Sequence, residues 1–280
     1  MKRLKNYGSF VKVEHTLFSL PLILSGSFIA YKSMPAAKTL ALIILAGFGA
    51  RTAALALNRV IDYKIDALNP RTKGRELPSG KITPMESAGV MTAGILIYLL
   101  AAYLICDLVL YLSPVPLAVF TLYPYLKRFT PFCHFGVGLG LALAPIGGFV
   151  AVTCSLEGLG AALFLGLFTL FWVSGFDIIY ATVDEEFDKS AGIHSLVAAY
   201  GRERALRVSA VLHGVSFLFL LVLYVTEFRN ISSVFLLLIT GFLLYFEHLK
   251  SSDVDLVFFK VNALLGFSVF FFILSGIYLP

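Results

Sequence analysis

Long apolar stretches dominate this chain of 280 residues and constrain its fold more than any other feature of its sequence. A helix needs about 20 mostly apolar residues to cross the hydrocarbon core of a membrane. Nine stretches meet that requirement: residues 16–34, 38–57, 87–106, 108–126, 134–154, 158–183, 205–226, 231–248 and 255–279. Apolar residues make up 59% of the chain, and its mean hydropathy is +0.88, which excludes a soluble or a disordered protein. The sequence therefore predicts an all-α integral membrane protein, with nine transmembrane helices in one domain that spans residues 1–280.

The basic residues are distributed very unevenly between the two sides that nine spans define. With the amino terminus in the cytoplasm, 18 of the 22 basic residues fall on the cytoplasmic side, three fall outside and Arg51 lies within the second span. Cytoplasmic loops of membrane proteins are enriched in Lys and Arg, so this pattern predicts a multi-pass cell-membrane protein with its carboxyl terminus outside. The sequence has no basic run with interleaved aromatic residues, which is the pattern typical of nucleic-acid binding.

The first apolar stretch, residues 16–34, follows a basic segment, as the apolar core of a signal peptide does. We interpret it as a retained span, because the preceding segment is long, carries Glu14, and no clean A-x-A cleavage site follows.

The three cysteines, Cys106, Cys133 and Cys154, lie in or beside apolar stretches. Neither a CxxC pair nor a Cys/His metal-ligand spacing accompanies them. The sequence therefore gives no support for a disulfide scaffold or a zinc site, and we expect these cysteines to be small apolar side chains of the interior.

Two polar segments on the predicted cytoplasmic side begin with carboxylates at helical spacing. These segments cover residues 58–86, after the second span, and residues 184–204, after the sixth. The aligned side chains are Asn58, Asp62 and Asp66 in the first segment, and Asp177, Asp184 and Asp188 at the second. Spacings of four and seven residues place each set along one helix face. Ionisable groups at such membrane positions are costly, and they indicate a functional site.

Carboxylates without a neighbouring His or Cys are hard oxygen ligands, and they suit Mg²⁺. Such ions would neutralise the aspartates together with a bound diphosphate, and metal and guanidinium groups stabilise charge on a leaving phosphate. The nearby basic residues are Arg71, Lys73, Arg75, Lys127 and Arg128. Solvated helix ends would explain one aspartate pair, but two matched pairs beside basic clusters favour a site for Mg²⁺ and a diphosphate.

Two further features accompany these segments. Residues 121–130 end a predicted helix with Tyr123, Tyr125, Lys127 and Arg128, which suit either a phosphate site or a membrane-interface anchor. Asp177 lies about two turns inside the sixth span, where it either hydrogen-bonds a neighbouring helix or forms a polar wall for substrate.

Three motifs, in this order, resemble the signatures of the UbiA superfamily of intramembrane prenyltransferases. They read Asn58-Arg-x-x-Asp62-x-x-x-Asp66 followed by Pro70-Arg-Thr-x-x-Arg75-x-Leu-Pro-Ser-Gly80, then Tyr123-Pro-Tyr-Leu-Lys127-Arg-Phe-Thr, then Tyr180-Ala-x-x-Asp184-x-x-x-Asp188. The likeness covers essentially the whole chain. It implies a nine-helix UbiA-like bundle with cytoplasmic helical loops after the second and sixth spans.

The resemblance also implies roles for the matching residues. The catalytic residues would be Asp62, Asp66, Asp184 and Asp188, which with Asn58 would bind Mg²⁺. The substrate-binding residues would be Asn58, Arg71, Arg75, Tyr123, Lys127, Arg128, Asp177 and Tyr180. The implied reaction is ionisation of a polyprenyl diphosphate to an allylic cation, which an aromatic acid then attacks, in the synthesis of a respiratory quinone. The implied partners are therefore a polyprenyl diphosphate, an aromatic acid and the lipid bilayer, with no nucleic acid.

The acceptor stays open between 4-hydroxybenzoate and a dihydroxynaphthoate. The chain departs from the benzoate enzymes of ubiquinone synthesis at Lys12-Val-Glu-His15, and at Arg75-Glu76-Leu77, where those enzymes read Arg-Pro-Leu. Three stretches resemble a UbiA-like branch that is linked to menaquinone through the futalosine route: residues 15–21, 69–80 and 171–188. His15 is either a contact for an acceptor acid or a structural side chain.

Two other classes of protein compete with this interpretation. An ion-coupled membrane transporter would also use intramembrane carboxylates, but it predicts them near the bilayer midplane on discontinuous helices. A membrane scaffold without catalysis would leave both aspartate stripes unexplained. The clustering of aspartates beside Arg and Lys at one membrane face favours the prenyltransferase.

Overall fold

A computed structural model gives the structure of residues 2–12, 16–254 and 256–279. Helix accounts for 81% of the described residues, and these contain no β-strand. The α-helices are α1 Lys2–Phe10, α2 Thr16–Ile29, α3 Ala37–Ile61, α4 Tyr63–Leu68, α5 Pro84–Ile105, α6 Asp107–Leu112, α7 Pro114–Leu126, α8 His134–Thr153, α9 Gly160–Ala181, α10 Glu185–Ser190, α11 Leu196–Tyr200, α12 Arg202–Glu227, α13 Ile231–Leu249 and α14 Asn262–Tyr278. Short 3₁₀ turns at Pro131–Cys133 and Thr182–Asp184, and a π-helix at Leu256–Val261, join some of them.

Eight helical segments of the described chain are long and apolar enough to cross a membrane, and they match the second to ninth predicted spans. The predicted first span, 16–34, appears as the shorter helix α2, which has 14 residues and ends at Ile29. The all-helical membrane architecture is therefore confirmed, whereas the count of nine spanning helices stays a prediction. The fourth predicted span is interrupted at Ser113, because Pro114 has no backbone N–H to continue α6 and instead begins α7.

Helix α8 is packed very tightly against α2, and glycine permits that contact. A Cβ atom on Gly26 of α2 would lie 1.8 Å from the carbonyl oxygen of Pro145, and a Cβ on Gly148 of α8 would lie 2.0 Å from that of Ile23. Small residues let helix backbones approach closely in membranes, where packing rather than water drives association. This contact fixes α8, whose first residue, His134, faces the functional site.

The polar segments that follow α3 and α9 lie together at one end of the bundle. We call this end, which residues 58–83 and 182–201 form, the site end. The first segment contains the end of α3 and the short helix α4 and is otherwise made of turns, whereas the second contains α10 and α11. A capping box at Thr83 and Glu86, together with Pro84 in the first turn, begins α5 and returns the chain into the bundle.

A disulfide joins Cys106 to Cys154 at the end of the bundle opposite the site end. The two cysteines follow directly after α5 and α8, which both run away from the site end. The expectation that all three cysteines are apolar filler is therefore wrong for this pair, while Cys133 has a free thiol. Sequence spacing gave no sign of the bond, because it depends on which helix ends become neighbours in the folded bundle.

Candidate active site

A cavity of about 230 Å³ opens at the site end, among the ends of α3, α7, α8 and α9. Eleven of the twelve predicted site residues line it: Asn58, Asp62, Asp66, Arg71, Arg75, Tyr123, Lys127, Asp177, Tyr180, Asp184 and Asp188. The exception is Arg128, which is not among the lining residues. Its Nη2 donates a hydrogen bond of 2.8 Å to the carbonyl oxygen of Ile61, and its guanidinium lies over the ring of Tyr125.

Asp62 of the first motif lies between α3 and α4, where one residue with non-helical backbone angles separates the two helices. The Asp62 carboxylate accepts hydrogen bonds from Nδ2 of Asn58, at 3.1 Å, and from Nζ of Lys127, at 2.5 Å. One turn later, Nη1 of Arg75 lies 2.8 and 2.9 Å from the two carboxylate oxygens of Asp66. Asp62 is only 3% exposed and Asp66 only 5%. Neither carboxylate therefore faces water at a helix end, which was the alternative interpretation of this pair.

The second motif follows α9, where a 3₁₀ turn leads to Asp184 and then to α10. Arg71 binds the Asp184 carboxylate through both Nε and Nη2, and its Nη1 donates a bond of 2.7 Å to the hydroxyl of Tyr180. Asn69 also donates to Asp184, at 2.9 Å. Residues of the first motif segment therefore hold the first aspartate of the second motif, and the two motifs form one site.

Burial and neighbouring cations act in opposite directions on these carboxylates. Burial raises the pKa of Asp62, and the ammonium of Lys127 partly offsets that rise. Taking a carboxylate out of water is costly unless a cation is close to it. Asp62, Asp66 and Asp184 each have such a basic partner, while Asp188 accepts a hydrogen bond of 3.0 Å from Oγ of Ser195. The cavity thus concentrates acidic and basic side chains in a largely apolar bundle.

Comparison with known proteins decides the family. The model of the UbiA prenyltransferase family matches residues 19–275, which is most of the chain. The protein belongs to the UbiA family. It is similar to the 4-hydroxybenzoate octaprenyltransferase of Vibrio atlanticus, with 30% identity over 266 residues that cover 94% of this chain and 90% of the relative. The family membership that the three motifs imply is confirmed, and the chain is a prenyltransferase.

Two solved structures of UbiA homologues share the fold. The homologue from Aeropyrum pernix K1 superposes with a TM-score of 0.81 and 30% identity, over 94% of this chain and 97% of that one. A homologue from Archaeoglobus fulgidus, solved with GPP and Mg²⁺ bound, has a TM-score of 0.71 and 18% identity, over 96% and 99% of the two chains. The second likeness concerns the fold alone.

The donor set of this UbiA protein fits Mg²⁺ by its chemistry. Four aspartates and Asn58 offer hard oxygen ligands, and Oδ1 of Asp62 is buried with no hydrogen-bond partner among the residues described. In the part of the chain that the structure covers, no three His, Cys, Asp or Glu side chains are placed to hold an ion together. Instead, three of the four aspartates form salt bridges, with Lys127, Arg75 and Arg71.

His134 is a site residue that sequence analysis missed. Its Nδ1 lies 2.7 Å from Oδ2 of Asp177, and the backbone N–H of Leu196 donates to its Nε2 at 3.3 Å. This network assigns the ring proton to Nδ1, which donates it to Asp177. Asp177 is thus paired with a neighbouring helix and also lines the cavity, and its contact with substrate stays a prediction. As the first residue of an apolar span, His134 gave no signal in the sequence.

Arg51 is a second residue that sequence analysis left without a role. It lies on α3 seven residues before Asn58, which puts both side chains on the same helix face. Its Nε is buried without a hydrogen-bond partner among the described residues, and Tyr123 is close enough to interact with it electrostatically. The helical spacing from Asn58 was a signal that could have identified it. His15, the other suggested acceptor contact, lies outside the described residues.

Proposed function

We propose that this protein transfers a polyprenyl group from a polyprenyl diphosphate to an aromatic acid, in a reaction that depends on Mg²⁺. One observation carries the proposal. Four aspartates from two distant motifs meet the basic side chains of Arg71, Arg75 and Lys127 around a single cavity at the end of an apolar bundle. Charges of both signs are costly in such a place, and together they suit a metal-bound diphosphate.

The aspartates would bind the metal ion of the donor complex, and the basic residues would bind its diphosphate. Mg²⁺ would be held by Asn58, Asp62, Asp66, Asp184 and Asp188. When bound, the ion neutralises the diphosphate and stabilises the negative charge of the leaving group. Lys127, Arg75 and Arg71, which hold the aspartates in this structure, would then pair with the diphosphate oxygens. This role explains why Asp62, Asp66 and Asp184 each have a cation beside them.

Two tyrosines that line the cavity suit the step in which the prenyl cation forms. When the allylic C–O bond breaks, the diphosphate leaves with the electron pair and the prenyl group becomes a cation. The rings of Tyr123 and Tyr180 line the cavity and can stabilise that cation through their faces. The surrounding apolar helices exclude water, which would otherwise capture it.

The acceptor would be held deeper in the bundle. The unpartnered Nε–H of Arg51 is a donor for the carboxylate of an aromatic acid. Attack of the ring on the cation forms a C–C bond, and the ring then loses a proton from the same carbon. Asp177 belongs to α9 itself and is paired with His134 rather than with Lys or Arg, so we assign it as the group that accepts this proton.

The site end would face the cytoplasm of a cell-membrane protein, with the carboxyl terminus outside, because most basic residues then lie on the cytoplasmic side. The product would serve respiratory quinone synthesis. The name of the Vibrio relative favours 4-hydroxybenzoate as acceptor, and a dihydroxynaphthoate is the alternative. An ion-coupled transporter is less well supported, since the four motif aspartates lie at helix ends rather than at the middle of the bundle.

The test is a transfer assay in membranes that contain the protein, with a radiolabelled polyprenyl diphosphate. 4-Hydroxybenzoate and dihydroxynaphthoates are supplied separately, each with and without Mg²⁺. We expect one class of acceptor to yield a labelled product that requires Mg²⁺. Folded protein that prenylates neither class, with donors of several chain lengths, would contradict the proposed reaction.

A further inference from the structure

The amino-terminal helix α1 is fastened to the outer side of the first motif segment. We call residues 69–83 the motif loop. Phe10 of α1 is fully buried against Ala56, Leu77 and Ile82, two of which belong to the motif loop. The hydroxyl of Tyr7 donates a hydrogen bond of 3.0 Å to Glu86, directly after the loop. Helix α1 therefore crosses the side of the motif loop that faces away from the cavity.

Glu76 joins this helix to the interior of the bundle. Its Oε1 accepts a hydrogen bond of 2.5 Å from Oγ of Ser9, on α1. Its Oε2 lies 3.8 Å from Nη1 of Arg59, on α3. Arg59 is only 5% exposed, and within the described chain Glu76 is its one acidic partner in salt-bridge range. Glu76 is thus the counterion of a buried guanidinium and an anchor for α1 at the same time.

The position of Glu76 in the chain links these contacts to the cavity. Its neighbour Arg75 turns the other way and binds both carboxylate oxygens of Asp66. The carbonyl of Glu76 also accepts the N–H of Ile82, at 3.0 Å, which closes the motif loop. Movement of Glu76 would therefore move Arg75, whereas none of the contacts of Glu76 touches the cavity itself.

We propose that Glu76 is a positioning residue: by bridging Ser9 of α1 and Arg59 of α3, it holds the motif loop so that Arg75 faces Asp66 and the diphosphate of the donor. The inference rests on the proposed function, because it places a diphosphate beside Arg75. Loosening this bridge weakens donor binding and leaves acceptor binding unaffected, since Arg51 lies about two turns from Arg59 along α3 and Asp177 lies on α9.

Steady-state kinetics of the full-length protein test the inference. Glu76→Gln and Ser9→Ala each raise the KM for the prenyl diphosphate, by about tenfold for Glu76→Gln, and leave the KM for the acceptor unchanged. Glu76→Asp keeps the charge and restores part of the donor KM. The matched control is Glu203→Gln, which removes an exposed glutamate paired with Arg207 on α12 and keeps wild-type constants. A loss of folded protein and of kcat, with both KM values unchanged, would show a purely structural role and overturn the proposal.

Limited trypsin digestion gives a second readout that needs no activity. The motif loop contains cleavage sites at Arg71, Lys73, Arg75 and Lys81. Cleavage is scored at Arg71, Lys73 and Lys81, because Glu76→Gln changes the residue that directly follows Arg75. In detergent, Glu76→Gln and Ser9→Ala speed cleavage within the loop relative to wild type and Glu203→Gln. The double variant cleaves no faster than the faster single variant, because both substitutions break one bridge. Equal cleavage in all five proteins overturns the proposal. A wild-type protein that binds no prenyl diphosphate overturns the proposed function, while the digestion still decides whether Glu76 holds the loop.

Discussion

Three of the four motif aspartates are paired with a basic side chain of the site. Asp62 with Lys127, Asp66 with Arg75, and Asp184 with Arg71 form buried or half-buried pairs, and removing one member leaves the other without its partner. An exposed aspartate at a helix end could be replaced by alanine at little cost to the fold. The structure shows Asp62 and Asp66 buried, so alanine is a poor test of their function.

Asparagine is the sharper substitution at these aspartates. Asp62→Asn and Asp184→Asn keep the side-chain shape and lose the charge that a metal ligand needs. We expect each variant to lose at least about 100-fold in transfer rate, because each removes charge stabilisation at the leaving group. Transfer assays and thermal unfolding on the same samples measure both effects. Glu186→Gln, an exposed change on α10, is the control, and near-normal rates in either asparagine variant would remove that aspartate from the site.

A substitution at Arg51 should affect binding of the acceptor rather than of the donor. If its guanidinium binds the acceptor carboxylate, Arg51→Gln raises the KM for the aromatic acid by about tenfold or more, because a charge-assisted hydrogen bond is lost. The KM for the prenyl diphosphate stays the same, since Arg51 does not line the cavity of the aspartates. Steady-state kinetics with each substrate varied in turn would measure this, and a change in the donor KM alone would contradict the assignment.

Whole helices meet through contacts that composition does not reveal. Helices α2 and α8 approach through Gly26 and Gly148, and the disulfide links the turns that follow α5 and α8. The sequence contains the glycines and cysteines, but both contacts depend on which helices become neighbours. Hydrophobic stretches predict that helices exist, and they are nearly silent about pairing because every face is apolar.

Adjacent glycines on α8 allow a matched test of the packing. A Cβ on Gly148 would meet the Ile23 carbonyl, whereas a Cβ on Gly147 would meet nothing within 4 Å. We expect Gly148→Ala to destabilise the protein by about 1–3 kcal/mol through overpacking against backbone. Gly147→Ala should be neutral or slightly stabilising, because alanine favours helix. Thermal unfolding in detergent compares them, and equal melting temperatures would mean that α2 and α8 are not in close contact.

The disulfide tests the proposed orientation of the helices. Disulfides persist in oxidising compartments, so the Cys106–Cys154 bond fits an outer face and a cytoplasmic site end. On intact cells, a membrane-impermeant maleimide should label the protein only after treatment with an impermeant reductant. Cys106→Ser should expose Cys154 to the reagent without reduction. Labelling of Cys154 only after the membrane is broken would place this end inside the cell.

At the scale of the whole molecule, the sequence predicted the class of fold and the charged cavity at the site end. The four-residue spacing of Asp62 and Asp66, repeated at Asp184 and Asp188, was enough to foresee one charged site, because helical spacing fixes which side chains share a face. The pair of His134 with Asp177 and the bridge from Ser9 through Glu76 to Arg59 could not be foreseen, because they join residues that belong to different elements and share no helix face. Arg128 does not line the cavity: its Nη2 bonds the carbonyl of Ile61 and lies 4.0 Å from Oδ1 of Asp62, so its substrate-binding role stays a prediction.

The central claim is that the two aspartate motifs form one site for a diphosphate with Mg²⁺. Equilibrium binding of a radiolabelled prenyl diphosphate to the purified protein, with no acceptor present, tests it most directly. We predict saturable binding with Mg²⁺ that is lost with EDTA, and lost equally in Asp62→Asn and in Asp184→Asn. Binding that persists without Mg²⁺, or that survives both substitutions, would contradict the claim.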